Sequence, residues 1–140
     1  MSDKAFVDTN ILVYAHDLEA GKKHEAAREL VEDLWESRKG VISTQVLQEL
    51  YVTLTRKIPE PLKKPVARSL VANYLNWDVC INDGAIILQA SEFEDRHNLS
   101  FWDAMIVSAA CDRNAAILIT EDLNDGQQIE GITVRNPFLD

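Results

Sequence analysis

The run Ala116-Ile117-Leu118-Ile119-Thr120-Glu121-Asp122 decides the fold class: four apolar residues stop abruptly at three polar ones. A short, unbroken apolar run with polar bounds reads as a strand covered on both faces, the kind that parallel sheets use. Four further segments read as strands: Ala5-Phe6-Val7, Val41-Ile42, Val79-Cys80-Ile81 and Ile132-Thr133-Val134. Longer periodic segments separate them. From Lys22 to Ser37 the apolar residues Ala26, Ala27, Leu30, Val31, Leu34 and Trp35 form one helical stripe, stopped at Gly40. Val46, Leu47, Leu50, Tyr51, Leu54 and Ile58 form a second stripe, with Ser43 or Thr44 as its cap. Pro59, Pro61 and Pro65 break that helix and set up another, over about 66–76. Asp83 can cap a helix carrying Ile86, Ile87, Ala90 and Phe93, and Ser100 opens a nearly all-apolar helix through Ala110. Ile11 to Tyr14 has room for a single turn before a polar loop at Gly21. Strands alternating with helices imply βαβ crossovers: one α/β domain over 1–140, with a mostly parallel sheet of roughly five strands.

Totals narrow the function classes. A chain of 140 residues suits one domain rather than two. No apolar run approaches the length of a membrane span. Met1-Ser2-Asp3-Lys4-Ala5 leads straight into a strand, without a signal peptide's apolar stretch. Cys80 and Cys111 lack metal-ligand spacing and read as small buried hydrophobes, which suits a reducing, cytoplasmic setting. Net charge is −9, from 14 Lys and Arg against 23 Asp and Glu. That opposes nucleic-acid binding unless a local basic rim or metal ions supply positive charge. The basic pairs Lys22-Lys23, Arg38-Lys39, Arg56-Lys57 and Lys63-Lys64 are rim candidates, although such pairs are commonly plain solvated surface. The five glycines form no phosphate-binding cluster.

Open parallel sheets bind ligands beyond the carboxyl ends of their strands. Asp8, Thr9 and Asn10 follow the first strand; Thr120, Glu121 and Asp122 follow the fourth, with Asp125 in the turn beyond. By spacing alone only Asp8 and Asp122 stand out. Asp103 follows Ser100 in a Ser-x-x-Asp capping pattern. Glu49 lies roughly 130° from the centre of its helix's apolar stripe, which indicates a solvated face. Asp125-Gly126 reads as turn chemistry. His16, His24 and His97 show no ligand spacing, and Trp102 reads as core packing.

A resemblance ties these residues together. Val7-Asp8-Thr9-Asn10 resembles the opening motif of PIN-domain nucleases, and Gln48-Glu49-Leu50-Tyr51 matches the family's helical glutamate. Phe101-Trp102-Asp103-Ala104-Met105-Ile106 resembles the third motif, and Thr120-Glu121-Asp122 the fourth. The set runs in the family's order across nearly the whole chain. In length the chain is most similar to the VapC toxins of VapBC toxin–antitoxin pairs. The resemblance implies a three-layer αβα sandwich. It implies a metal-dependent endoribonuclease in which Asp8, Glu49, Asp103 and Asp122 hold Mg²⁺ or Mn²⁺, with Asp125 a candidate further ligand. The ion would lower the pKa of a water, align it with a phosphate and stabilise the departing 3′ oxygen, leaving a 5′-phosphate. Thr9, Asn10 and Thr120 would orient ligands or water. An RNA substrate, a small antitoxin partner and a homodimer follow from the same resemblance, the dimer through helices near Tyr51 and Tyr74. Two other readings stay open. One is a non-catalytic interaction module on the same fold. The other is a different Mg²⁺-dependent phosphoryl hydrolase, although a dehalogenase-type phosphatase needs Asp where this chain has Asn10.

Overall fold

The structure, a computed structural model, describes residues 3–139; the Met1-Ser2 start of the leader reading lies outside them. In chain order the elements are β1 (Ala5–Val7), α1 (Thr9–His16), α2 (Lys22–Ser37), β2 (Gly40–Ser43), α3 (Thr44–Arg56), α4 (Lys64–Tyr74), β3 (Asp78–Cys80), α5 (Gly84–His97), α6 (Phe101–Asp112), β4 (Ile117–Ile119), β5 (Gln128–Ile129) and β6 (Ile132–Arg135). A short 3-10 turn, Leu18–Ala20, joins α1 to α2. The sheet order is β3-β2-β1-β4-β6-β5. The first five strands in that order are parallel; β5 pairs antiparallel with β6. No helix among the described residues is long and apolar enough to cross a membrane.

All three residues of β1 are buried, although neighbouring side chains in a strand point to opposite faces. Both faces of the sheet are therefore covered, by α1–α4 packed among themselves and by the α5–α6 pair. Phe6, Ile11, Leu12, Ile42, Leu50, Leu54 and Leu118 are fully enclosed. Each such side chain contributes about 1.5–3 kcal/mol by leaving water.

Several expectations need correction. The sheet has a sixth strand, two residues long, made by a hairpin whose turn residues Glu130 and Gly131 both have positive φ. α1 runs for eight residues rather than one turn, because Asp8 caps it and Asp17 ends it. Ile81 lies outside β3 and is 73% exposed, and Ala116 precedes β4. The helix after the prolines starts earlier than expected, with Pro65 in its first turn and its end at Tyr74. Trp102 is not core: it is 64% exposed, since the second residue of α6 projects from the helix end. Cys80 is buried as expected, whereas Cys111 is half-buried. Burial pushes both thiols up, to about 12 and about 11, which leaves them unreactive. Ser43, not Thr44, caps α3.

Gly40 is required by a close approach. A Cβ there would sit 2.5 Å from carbons of the Trp77 ring. Trp35 and Tyr74 hem that ring at 5.5 and 5.2 Å between centroids, so it has little room to retreat. Gly40→Ala is expected to cost about 1–3 kcal/mol by overpacking. Urea melts test this, and an unchanged midpoint would refute it.

At the amino ends of the strands, Asp78 binds Lys4 (Nζ, 3.0 Å) and Arg113 (Nε, 2.8 Å). Burial raises the Asp78 pKa, but Arg113 and Lys4 outweigh it and hold the carboxyl below its ordinary value. Its stabilisation is thus present above the ordinary carboxylate pKa and disappears as pH falls through the lowered one. Both cations are partly exposed, so the effect is about 1 kcal/mol at most. Asp78→Asn is expected to trail the parent at pH 7 and match it near pH 2.

Candidate active site

The strand order reverses between β1 and β4. From β1 the chain builds outward through β2 and β3, then returns to place β4 on β1's other side. Such a switch point opens a crevice at the carboxyl ends of the two strands. Asp8 follows one strand and Thr120 the other.

Asp8 is buried, with 9% of its surface exposed, and doubles as the cap of α1. Its Oδ1 accepts from the Thr9 amide at 2.7 Å and its Oδ2 from the Thr120 hydroxyl at 2.8 Å. The same Thr120 oxygen accepts from the Asp122 amide at 3.1 Å. One hydroxyl therefore fixes the Asp8 carboxylate and shapes the turn that presents Asp122. Thr9 extends the chain: its hydroxyl donates to Glu49 Oε1 at 3.1 Å, drawing the exposed α3 glutamate toward β1. Asp103 stands in the first turn of α6, its amide donating to the Ser100 hydroxyl as the capping pattern anticipates.

The electrostatics join all four acids. Burial pushes the Asp8 carboxyl up to about 6; the Thr120 and Thr9 bonds oppose this, while Asp122 and Glu49 add repulsion. Asp122 is also raised, by burial and then by Asp103 and Glu121. Asp8 and Asp122, both raised by burial and by neighbouring carboxylates, sit where positive charge is lacking. Glu121 is excluded from that deficit. It accepts from Tyr14 Oη at 2.6 Å and pairs with Lys23 Nζ at 2.8 Å. Burial raises its pKa, but Lys23 and Tyr14 bring it below the ordinary value.

Among the described residues, no three acidic, His or Cys side chains already stand close enough to enclose a metal ion. The donor set nonetheless fits a hard divalent cation: it consists of carboxylate oxygens, and Asp8 oxygens that each take one bond keep a lone pair. Asp125 is occupied differently, its Oδ1 accepting from the Asn136 amide at 2.9 Å in a turn. Asn10 is exposed on the first turn of α1.

The histidines lie elsewhere. His16 Nε2 meets Tyr74 Oη at 2.7 Å, His24 Nδ1 meets the Tyr14 carbonyl at 2.9 Å, and His97 pairs with Glu130 at 2.7 Å. Of the basic pairs, Lys23 binds Glu121 beside the crevice, and Lys39 binds Asp3 at the far edge. A shallow groove of about 230 Å³ leads along α3 from Glu49 past Val52 and Thr53 to Lys57. A larger cavity, about 440 Å³, lies at the opposite edge of the sheet, between Trp35, Gly40 and Trp77. The acids thus line an open edge rather than an enclosed cavity.

Spacing arguments did not connect two groups that stand beside these acids. The Tyr14–Glu121–Lys23 group was not legible, since its members are far apart in sequence. Gln45 was legible in principle: it stands four residues before Glu49, one helical turn away on the same face.

The PIN-domain family model matches residues 5–125. No curated protein matches the chain significantly. Several solved structures do. One is a toxin–antitoxin complex from Klebsiella pneumoniae, 22% identical, with a TM-score of 0.72 over 96% of this chain and 98% of that one. Another is the DNA-bound VapBC of Salmonella typhimurium, 20% identical, with a TM-score of 0.67 over 96% and 98%. A third is the VapC20 toxin of Mycobacterium tuberculosis, described as cleaving the sarcin-ricin loop. It is 22% identical, with a TM-score of 0.64 over 82% of this chain and 87% of that one.

Proposed function

Because the chain belongs to the PIN-domain family, we propose that it is a divalent-metal-dependent endoribonuclease, the toxin of a toxin–antitoxin pair. The observation that carries this reading is the convergence on one strand-end crevice of Asp8, Glu49, Asp103 and Asp122, from four separate elements, each perturbing or bonded into the next. Mg²⁺ or Mn²⁺ is the ion these oxygens suit. When bound, it supplies the positive charge that the cluster lacks and that a phosphodiester under attack requires.

The chain's own residues do the rest. Asp8, Glu49, Asp103 and Asp122 hold the ion. Thr120 and Thr9 fix the carboxylates they bond, so that few rotamers remain to be ordered at the moment of binding. Asn10, exposed at the mouth, is placed to orient a water or a phosphate oxygen. The groove from Glu49 to Lys57 offers a path for the strand on either side of the cut, with Lys57 at its far end to meet a phosphate. An RNA substrate reaches the acids from the open edge. A small antitoxin is the matching partner: complexes of two structural neighbours contain one, and a peptide tail crossing the same edge would exclude RNA. A homodimer belongs to the same proposal.

Purified protein incubated with total RNA and defined tRNAs in Mg²⁺, Mn²⁺ or EDTA tests the reading. Metal-dependent cutting supports it. Protein that neither cuts any RNA nor responds to metal is an interaction module instead.

A further inference from the structure

We infer that Gln45 is a positioning residue of the acidic crevice: its side chain spans the first turns of α3 and α6 and sets the spacing of Glu49 and Asp103. The inference rests on the metal-site reading above.

Gln45 is the second residue of α3 and is 7% exposed. Its Nε2 donates to the carbonyl of Trp102, the residue before Asp103, at 3.5 Å. One helical turn further along α3 on the same face is Glu49. The amide therefore connects the two backbones that carry these acids, close to both. Its other end is bare: Oε1 is buried and has no hydrogen-bond partner. Turning the amide end for end gives no relief, because oxygen would then face the Trp102 carbonyl and the orphan would become the NH₂ group.

A buried amide with one long bond and one unmet acceptor is a poor choice for stability. An apolar side chain of the same length fills the space without stranding a polar atom. Folding alone does not account for glutamine here, whereas a fixed separation between the α3 and α6 ends does. Both acids must present oxygens to one ion, and a site held loosely by a single turn of helix loses affinity steeply.

The test uses the full chain with Gln45→Met and, independently, Gln45→Leu. Melting is followed in EDTA and across a Mn²⁺ titration, and kcat and KM are measured on a cleaved RNA. The expected result has two parts. In EDTA the variants melt at or above the parent temperature. The Mn²⁺ concentration for half-maximal stabilisation rises about 10- to 100-fold, and kcat falls by a similar factor with KM retained. A Mn²⁺ midpoint equal to the parent's overturns the inference. So do variants that melt below the parent in EDTA or fail to fold, since the amide would then be structural. A parent protein without any Mn²⁺ response sinks the site reading and this inference together. A responsive parent with variants that match it sinks only the role of Gln45.

Discussion

Asp8→Asn cuts RNA at least about 10³-fold more slowly than the parent, yet unfolds at a higher temperature in EDTA. Both effects come from one carboxylate. The loss in rate follows because an ion held at a phosphate is worth several kcal/mol of transition-state stabilisation, and each 1.36 kcal/mol is tenfold. The gain in stability follows from burial. With its carboxyl raised from 3.8 to about 6, the metal-free native state holds the Asp8 proton more tightly than the unfolded chain does. Stability therefore declines as pH rises from about 4 to about 6 and stays lower above that window. About two pH units correspond to roughly 3 kcal/mol at most. Asparagine keeps an acceptor for the Thr9 amide and carries no charge, so its advantage is present at pH 7 and vanishes below pH 4. Paired melts at both pH values, beside a cleavage assay, check this. A mutant that cuts normally removes Asp8 from the site; one that melts lower at pH 7 refutes the burial argument.

Mn²⁺ or Mg²⁺ raises the melting temperature of the parent, and EDTA reverses the rise. A ligand at a hundredfold excess over its Kd stabilises the native state by about 2.7 kcal/mol. For a domain of this size that is on the order of 5–10 °C. Binding also reverses the pH dependence, because the ion favours the ionised carboxylates and so releases protons. Asp122→Asn is expected to blunt the response, since Asp122 adds to Asp8's repulsion and is one of the proposed metal ligands. Differential scanning fluorimetry with and without metal suffices. A parent protein indifferent to millimolar Mn²⁺ leaves the four acids without their proposed role.

The parts legible in sequence are those with local causes. The α2 stripe matches the observed helix at both ends, and Ser43, Asp83 and Ser100 each cap the helix they precede. Asp8 and Asp122 were visible because strand ends are. The rest depends on contacts across the chain. Glu49 is exposed, as its angle on α3 implied, and a bond to Thr9, forty residues away, together with its repulsion of Asp8, connects it to the crevice. Trp102 was misplaced because an apolar pattern cannot register that a helix's first turn projects beyond the core. β5 was invisible because two residues carry no periodicity; the turn at Glu130-Gly131 and the pairing of Gln128 with Thr133 create it. α1 was shortened because Asp8 was read only as a strand end, when it is also a helix cap.

The position of β4 beside β1 has a consequence for the order of events during synthesis. Asp8 and Thr120 touch across 112 residues, and β1 gains its second neighbour only when Ile117–Ile119 arrive. Chains are made from the amino end, and long-range pairings form late. Asp8 and Glu49 are made early, but Asp103 and Asp122 belong to the last third of the chain. A partly translated chain therefore carries half a site and no crevice. The crevice between β1 and β4 is thus among the last features of the fold to form.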